Sequence, residues 1–273
     1  MKHINAKQTS KVILFIGYLF CLYLAFLYFF QNDLLFSPDK QYKSPQNLSL
    51  PFREEKILGS ENIAVMNWYY PGDKNKPAVL FFHGNAGQIA DFAPALMPII
   101  KAGYPVLAME YRGFGNTKGT ISQSTLFQDA ANAYDFLESK GHTHIVAYGY
   151  SFGCAFAAGL TSLRPVDGLI LTAPFFSLKE IVSEKPVPLG KFLLRDSYPS
   201  YQYIRDYKGP VLIIHGKRDN LIPYHHSQDL YNQSQSAKKQ LQFLDNDNHI
   251  SLFWKQKNIP FILDFLKDLQ KGL

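Results

Sequence analysis

The chain has only two cysteines, Cys21 and Cys154, in 273 residues. Cys21 lies in a long apolar run and Cys154 lies beside a glycine-containing turn, so the two are poorly suited to pair, and no disulfide framework is predicted. The sequence also has no internal repeat and no low-complexity tract. Its length accommodates one large α/β domain and a short additional segment, but not a second catalytic domain.

Clusters of basic residues interleaved with aromatic residues are missing as well, although the chain has 28 Lys and Arg against 22 Asp and Glu and a net charge of +6. The cations are spread along the chain, which argues against nucleic acid as a partner. Histidines and carboxylates at the spacing of metal-binding motifs are absent too. We therefore expect neither a metal ion nor another cofactor.

Charge is absent from Val12 to Phe30. A helix over these residues is about 28 Å long, close to the thickness of the hydrocarbon core of a bilayer. A cleaved signal peptide and a buried core helix are the alternatives. The bulky residues at positions 27–30 do not suit a cleavage site. We predict an uncleaved transmembrane helix over residues 12–30.

Lysines at positions 2, 7 and 11 precede this apolar run, and Asp33 and Asp39 follow it. This distribution predicts a cytoplasmic N-terminus over residues 1–11 and a domain outside the cytoplasm, on the periplasmic side of the inner membrane if the source is a bacterium. Residues 31–55 contain three prolines. They are predicted to form a tether to a domain over residues 56–273.

Strand-like and helix-like patterns alternate along this domain. The apolar strand-like runs fall at 78–82, 145–148, 168–172 and 211–215. Helix-like stretches lie between several of them. The alternation predicts an α/β fold with a mostly parallel sheet covered by helices on both faces. Reactive groups are then expected at the carboxyl ends of the strands.

Ser151 lies between Gly149 and Gly153, where the strand predicted at 145–148 passes into a helix. Such a turn exposes the central side chain above the edge of the sheet and places the following backbone N–H, that of Phe152, at a helix N-terminus. The two glycines could serve only to allow a tight turn. The apolar strand before them and the small residues after them favour a nucleophilic serine.

A serine hydroxyl needs a general base, and a histidine base needs an acid that orients its ring. Asp219 follows the strand predicted at 211–215, and His249 follows a later one, which gives the chain order Ser, Asp, His expected for this topology. Asp245 and Asp247 are alternative acids, but residues so close in sequence to His249 more often shape the turn. We predict a triad of Ser151, Asp219 and His249.

The oxyanion formed on attack of an acyl group needs hydrogen-bond donors already in place. The backbone N–H of Phe152 is one candidate. The loop HGNAG, which follows the strand at 78–82, offers the N–H of Asn85 as the second. The alternative is that this loop is only a tight turn.

The runs VLFFHGNAG, MEYRGFGNTKG, AYGYSFGCA and PVLIIHGKRDNLIP, with the late histidine, resemble the α/β-hydrolase superfamily. With the apolar N-terminal run, they are similar to its single-pass, membrane-anchored serine hydrolases. The resemblance covers roughly residues 77–269 and implies the α/β-hydrolase fold, the same triad and oxyanion donors, and a structural loop at 111–115. Such families commonly have a glycine shortly before the catalytic histidine. Here Asp and Asn occupy 245–248, and both tolerate positive φ.

Residues 174–208 form an unusually long connection, rich in aromatic residues and prolines. They are predicted to form a cap over the site or, alternatively, a surface pair of helices. Phe175, Phe192 and Tyr198 are the expected substrate-binding side chains.

We expect a membrane-anchored serine hydrolase that cleaves an ester or thioester of a small-molecule or lipid-like acyl substrate through an acyl-enzyme on Ser151. The alternatives are amide cleavage of the aminopeptidase type and a catalytically silent binding module. No oligomeric state is predicted.

Overall fold

The computed structural model describes residues 6–272, and of residues 6–8 only the backbone. The predicted cytoplasmic segment 1–11 therefore lies partly outside the described residues. The helices are α1 (Ala6–Leu35), α2 (Ile89–Lys101), α3 (Gln123–Ser139), α4 (Gly153–Leu160), α5 (Leu178–Ser183), α6 (Gly190–Leu193), α7 (Ser200–Asp206), α8 (His225–Gln233), α9 (His249–Trp254) and α10 (Ile259–Gly272). The strands are β1 (Ser37–Pro38), β2 (Arg53–Leu58), β3 (Ala64–Tyr70), β4 (Ala78–Phe82), β5 (Ala86–Gly87), β6 (Val106–Met109), β7 (Ile145–Tyr150), β8 (Gly168–Thr172), β9 (Val211–Gly216) and β10 (Lys239–Leu244).

Eight strands form one sheet in the order β10-β9-β8-β7-β4-β6-β3-β2. The pairs from β10 to β6 are parallel, whereas β3 pairs antiparallel with both β6 and β2. Strands β4 and β7 to β9 are buried along their whole length, which explains why their sequences are continuously apolar and do not alternate. The mostly parallel sheet predicted from the sequence is confirmed.

Two hydrophobic cores cover the two faces of this sheet. Alternate residues of β4 divide between them, with Leu80 and Phe82 in one core and Val79 and Phe81 in the other. The first core includes α3, α4, α7 and α8, and the second includes α2, α9 and α10. The helices therefore pack on both faces, and the carboxyl ends of β4, β7 and β9 lie along one edge of the sheet.

Helix α1 contains the predicted span. It is apolar and long enough to cross a membrane from Thr9 to Leu35. Many of its large apolar side chains, Val12 and Phe29 among them, are exposed to the surroundings of the protein. Exposure of so much apolar surface is typical of a segment that contacts lipid or another apolar partner.

The segment predicted as a tether, residues 31–55, departs from that prediction in its first part. Helix α1 continues to Leu35, and Phe36 is buried with its ring centroid 4.8 Å from that of Phe152. Strand β1 pairs with β5, and the N–H of Ser37 donates to the carbonyl of Asn85 at 2.9 Å. The chain thus docks on the domain directly after α1. Its proline content gave no sign of this long-range contact.

Candidate active site

The turn between β7 and α4 holds Ser151 in a left-handed backbone conformation, with φ of 53°. This conformation is uncommon for a residue other than glycine and is maintained here by close packing. A Cβ atom at Gly149 would overlap the backbone of Cys154, and one at Gly153 would overlap the carbonyl oxygen of Phe82. The two glycines therefore let α4 approach the sheet closely enough to form the turn.

The side chains of Ser151, His249 and Asp219 form a chain of hydrogen bonds. The Nε2 atom of His249 lies 2.9 Å from Oγ of Ser151, and its Nδ1 atom lies 2.6 Å from Oδ2 of Asp219. All three residues are buried. Asp219 lies in the loop after β9 and His249 begins α9, so residues from three distant parts of the sequence meet at one edge of the sheet.

His249 is positioned by the cap of its own helix. The side-chain oxygen of Asn248 accepts hydrogen bonds from the N–H groups of Ile250 and Ser251 at 3.1 and 2.8 Å. Such capping stabilises the first turn of a helix. Residues 245–248 form the turn without positive φ. These residues therefore do not need the tolerance of positive φ that Asp and Asn provide.

Several donors stabilise the charged form of Asp219. Its Oδ1 atom accepts from the N–H groups of Leu221 and Ile222 at 2.9 and 2.8 Å, and its Oδ2 atom lies 3.2 Å from Nε2 of His215. Burial raises the pKa of Asp219. The hydrogen bonds from His215 and His249 outweigh burial and hold this pKa well below its usual range. Asp219 is therefore a carboxylate that can stabilise a positively charged His249.

His215 contacts Asp219 in the structure, and the sequence does not predict this contact. In the structure it is fully buried, with Nδ1 2.6 Å from Oγ of Ser227 and Nε2 2.9 Å from the carbonyl of Ile222. Its position at the end of β9, four residues before Asp219, is the feature of the sequence that could have indicated a contact with Asp219.

The alternative acids, Asp245 and Asp247, contact other residues, and the neighbouring thiol of Cys154 is buried. Asp245 is exposed and pairs with Lys217 at 2.7 Å, and Asp247 accepts from the hydroxyl of Ser251 at 2.8 Å. Cys154 is fully buried under the turn, and burial raises the pKa of its thiol well above the usual value. A buried protonated thiol is a poor nucleophile, which leaves the hydroxyl of Ser151 as the candidate nucleophile beside His249.

Two backbone donors face no partner within the described part of the chain. Neither the N–H of Phe152 nor that of Asn85 donates a hydrogen bond there. Two contacts of His83 hold the loop that carries Asn85. Nε2 of His83 lies 2.8 Å from a carboxylate oxygen of Glu110, and the hydroxyl of Tyr111 donates to the carbonyl of His83 at 2.7 Å. These contacts give the loop around position 111 the supporting role that the sequence resemblance implied.

A groove of about 320 Å³ opens over Ser151, between the loop after β4 and the start of α9. Apolar parts of its wall come from Phe92, Tyr150, Leu221 and Trp254. Burial and the nearby carboxylate of Asp219 raise the pKa of Tyr150, whose hydroxyl donates to the carbonyl of His249 at 3.0 Å. The groove thus combines an apolar wall with one reactive hydroxyl, which suits an uncharged acyl group.

The three aromatic residues predicted to bind substrate do not line this groove. Phe175 and Tyr198 are buried in the core, where their ring centroids lie 5.4 and 4.9 Å from that of Phe152. Phe192 is 67% exposed on α6. Residues 174–208 are rich in apolar side chains, as the sequence indicates. The sequence pattern does not distinguish side chains that pack under α4 from side chains that face a substrate.

One group of side chains with metal-binding chemistry lies between α5 and α8 in the described residues. The candidate ligand atoms of Glu184, His225 and His226 lie within 4.8 Å of one another. Each histidine already contacts Glu184, at 3.0 and 3.3 Å, and the N–H of Phe176 donates to Nδ1 of His226. Burial lowers the pKa of His226, which favours its neutral form. These contacts join the segment 174–208 to α8.

Comparison with known families and proteins places these features in context. Residues 73–206 match the family described as serine aminopeptidase, S33. The protein MT2364 of Mycobacterium tuberculosis is 32% identical over 208 residues, which cover 73% of this chain and 74% of MT2364. The lysophosphatidylserine lipase ABHD12 of Rattus norvegicus is 28% identical over 188 residues, which cover 60% of this chain and 47% of the lipase.

Solved structures share the fold. The esterase Pf2001 of Pyrococcus furiosus superposes with a TM-score of 0.69 at 19% identity and covers 86% of this chain and 99% of its own. A bacterial membrane phospholipase A superposes with a TM-score of 0.65 at 16% identity and covers 96% of this chain and 99% of its own.

Proposed function

Because this chain belongs to the α/β-hydrolase superfamily, we propose that it is a serine hydrolase that cleaves a carboxylic ester or thioester through an acyl-enzyme on Ser151. The observation that carries this proposal is the hydrogen-bonded chain from Ser151 through His249 to Asp219. Its order and its position at the carboxyl edge of the sheet suit nucleophilic catalysis. An intact triad also argues against a catalytically silent binding module.

The geometry supports a two-step reaction. His249 removes the proton of Ser151 as its oxygen attacks the acyl carbon, and the N–H groups of Phe152 and Asn85 stabilise the oxyanion. The tetrahedral intermediate expels the alcohol or thiol, which receives the proton from His249. A water molecule then attacks the acyl-enzyme, with His249 again the base, and releases the acid and free Ser151. Asp219 stays ionised and stabilises the charged His249 in both steps.

We further propose that α1 is a membrane anchor and that the substrate is a lipid-like acyl compound. The apolar surface of α1, its length and the lysines that precede its apolar run support an anchor with the catalytic domain outside the cytoplasm. A lysophosphatidylserine lipase among the relatives and a membrane phospholipase A among the structural neighbours favour a lipid-like substrate.

Amide cleavage of the aminopeptidase type is the second candidate, and the description of the matching family favours it. An aminopeptidase requires a group that binds the free amine of its substrate. Among the groove-lining residues, Asp91 is the available carboxylate, and it lies 3.0 Å from Nζ of Lys43. Because this carboxylate is already paired, we favour ester cleavage.

Replacement of the nucleophile tests the proposed function. In Ser151→Ala, labelling by a fluorophosphonate should disappear, and hydrolysis of p-nitrophenyl esters should fall by a factor on the order of 10³ or more. Ser162→Ala, at an exposed position after the end of α4, is the matched control and should keep both. Full labelling of Ser151→Ala would assign the nucleophile to another residue. Faster cleavage of aminoacyl arylamides than of esters would favour the aminopeptidase.

A further inference from the structure

A second cavity lies beside the groove over Ser151, between the end of α1 and the segment 174–208. Its volume is about 400 Å³. Helix α1 contributes Leu27, Leu34 and Leu35 to its wall, and the opposite wall comes from apolar side chains of α5 and α6. We refer to this cavity as the α1 groove. Its lining is mostly hydrocarbon, so it suits an apolar ligand of extended shape.

The α1 groove adjoins the proposed catalytic site. Asn85 and Leu221 line both the α1 groove and the groove over Ser151. The side-chain N–H of Asn85 donates to the carbonyl of Leu35 at 2.5 Å, which fixes the end of α1 against the loop that carries a proposed oxyanion donor. A chain bound in the α1 groove would therefore have one end beside the groove over Ser151.

The other end of the α1 groove lies beside residues of the predicted span. Leu27 belongs to that span, and the hydroxyl of Tyr23 donates to the carbonyl of Pro188 at 3.4 Å. Close to this contact, Leu189 and Phe192 expose large apolar side chains. If α1 crosses the bilayer, this part of the segment 174–208 meets the bilayer surface, where exposed apolar side chains are stabilised.

We propose that the α1 groove binds the acyl chain of an ester lipid taken directly from the bilayer, so that α1 forms one wall of the substrate site in addition to anchoring the protein. This inference rests on the proposed function, because it places the bound ester at Ser151. Gln31 holds the two walls together, since its side chain accepts from the N–H of Arg195 at 2.9 Å and donates to the carbonyl of Leu193 at 3.3 Å.

The test compares p-nitrophenyl dodecanoate with p-nitrophenyl acetate, using the full chain in detergent. In the unaltered protein, kcat/KM should rise roughly fourfold for each buried methylene until the α1 groove is filled. In Leu34→Trp, the added ring fills part of the groove. The ratio of kcat/KM for dodecanoate to kcat/KM for acetate should then fall by about tenfold or more, because two or more methylenes are no longer buried. Leu193→Trp narrows the groove from α6 and should give the same result.

Leu22→Trp is the matched control, because Leu22 is also an exposed leucine of α1 but does not line the groove, and its ratio should equal that of the unaltered protein. If Leu34→Trp and Leu193→Trp keep the ratio while Ser151-dependent hydrolysis persists, the inference is wrong and the proposed function stands. An equal loss for both esters also contradicts the inference, because it indicates general damage to the site. Absence of Ser151-dependent hydrolysis in the unaltered protein would overturn both.

Discussion

In the proposed mechanism, Asp219 is the residue on which the reactivity of His249 depends most directly. It lies 2.6 Å from Nδ1 of His249, on the side of the ring remote from Ser151. In this position its carboxylate selects the tautomer whose Nε2 atom can accept the serine proton. His215 and the N–H groups of Leu221 and Ile222 hold the carboxylate in its charged form.

Asp219→Asn should therefore lower kcat for ester hydrolysis by a factor on the order of 10⁴, because an amide favours the wrong tautomer. Asp245→Asn and Asp247→Asn are the matched controls, and kcat should stay within a few fold of the unaltered value. The measurement is steady-state hydrolysis of a short-chain p-nitrophenyl ester by the three variants. Similar small effects in all three would remove Asp219 from the proposed mechanism.

At the scale of elements, the junction after α1 connects the apolar helix to the loop that carries Asn85. Phe36 packs against Phe152 and Phe114, with ring centroids 4.8 and 6.3 Å away, and β1 pairs with β5 directly after it. Burial of one aromatic side chain thus fixes both the end of α1 and one side of the loop that carries Asn85.

Phe36→Ala should destabilise the domain by about 3–5 kcal/mol, since it removes a buried ring. The midpoint of thermal unfolding in detergent should fall by roughly 2–4 °C for each kcal/mol. Hydrolysis of p-nitrophenyl acetate should also slow, because the β1–β5 contact no longer holds the loop. Phe29→Ala, at an exposed position of α1, should change neither quantity. Equal midpoints for the two variants would show that the junction does not stabilise the domain.

The elements that could be predicted from the sequence are those with strong local patterns. The runs at 78–82 and 168–172 are buried strands with these bounds, because buried parallel strands are continuously apolar. The turn at Ser151 was visible because close packing requires glycine at both flanking positions. Contacts between distant segments were not visible. Neither the docking of Phe36 nor the burial of Tyr198 under α4 leaves a local pattern, since each depends on a partner far away in sequence.

The same limit applies within the site. Asp219 and His249 could be selected because each follows a strand whose carboxyl end is expected at one edge of the sheet. The apolar wall of the groove over Ser151 could not be predicted, because Leu221 and Trp254 lie in no recognisable sequence pattern and contact the groove only in the folded chain. The three side chains of the hydrogen-bonded chain could therefore be predicted from the sequence, whereas the surfaces around them could not.

At the scale of the whole molecule, one apolar helix joins a basic N-terminus to a hydrolase domain. If α1 crosses the bilayer with the N-terminal lysines on the cytoplasmic side, the groove over Ser151 opens outside the cytoplasm, beside the membrane. The apolar surface of α1 and the exposed Phe192 would then contact lipid instead of water.

The protein should accordingly stay with the membrane fraction after a high-salt wash, because apolar insertion does not depend on ionic strength. A reporter fused after Leu273 should behave as a protein outside the cytoplasm. Release by salt would argue against insertion of α1. A reporter active only in the cytoplasm would reverse the proposed orientation.

Capture of the acyl-enzyme is the sharpest test of Ser151 as the nucleophile. The purified full chain is mixed with a p-nitrophenyl ester, quenched in acid within the first turnover, digested and analysed by mass spectrometry. The peptide containing Ser151 should gain the mass of one acyl group, and this adduct should be absent from Ser151→Ala. Ser151-dependent hydrolysis with no acyl adduct at any time point, or an adduct on another residue, would contradict this assignment.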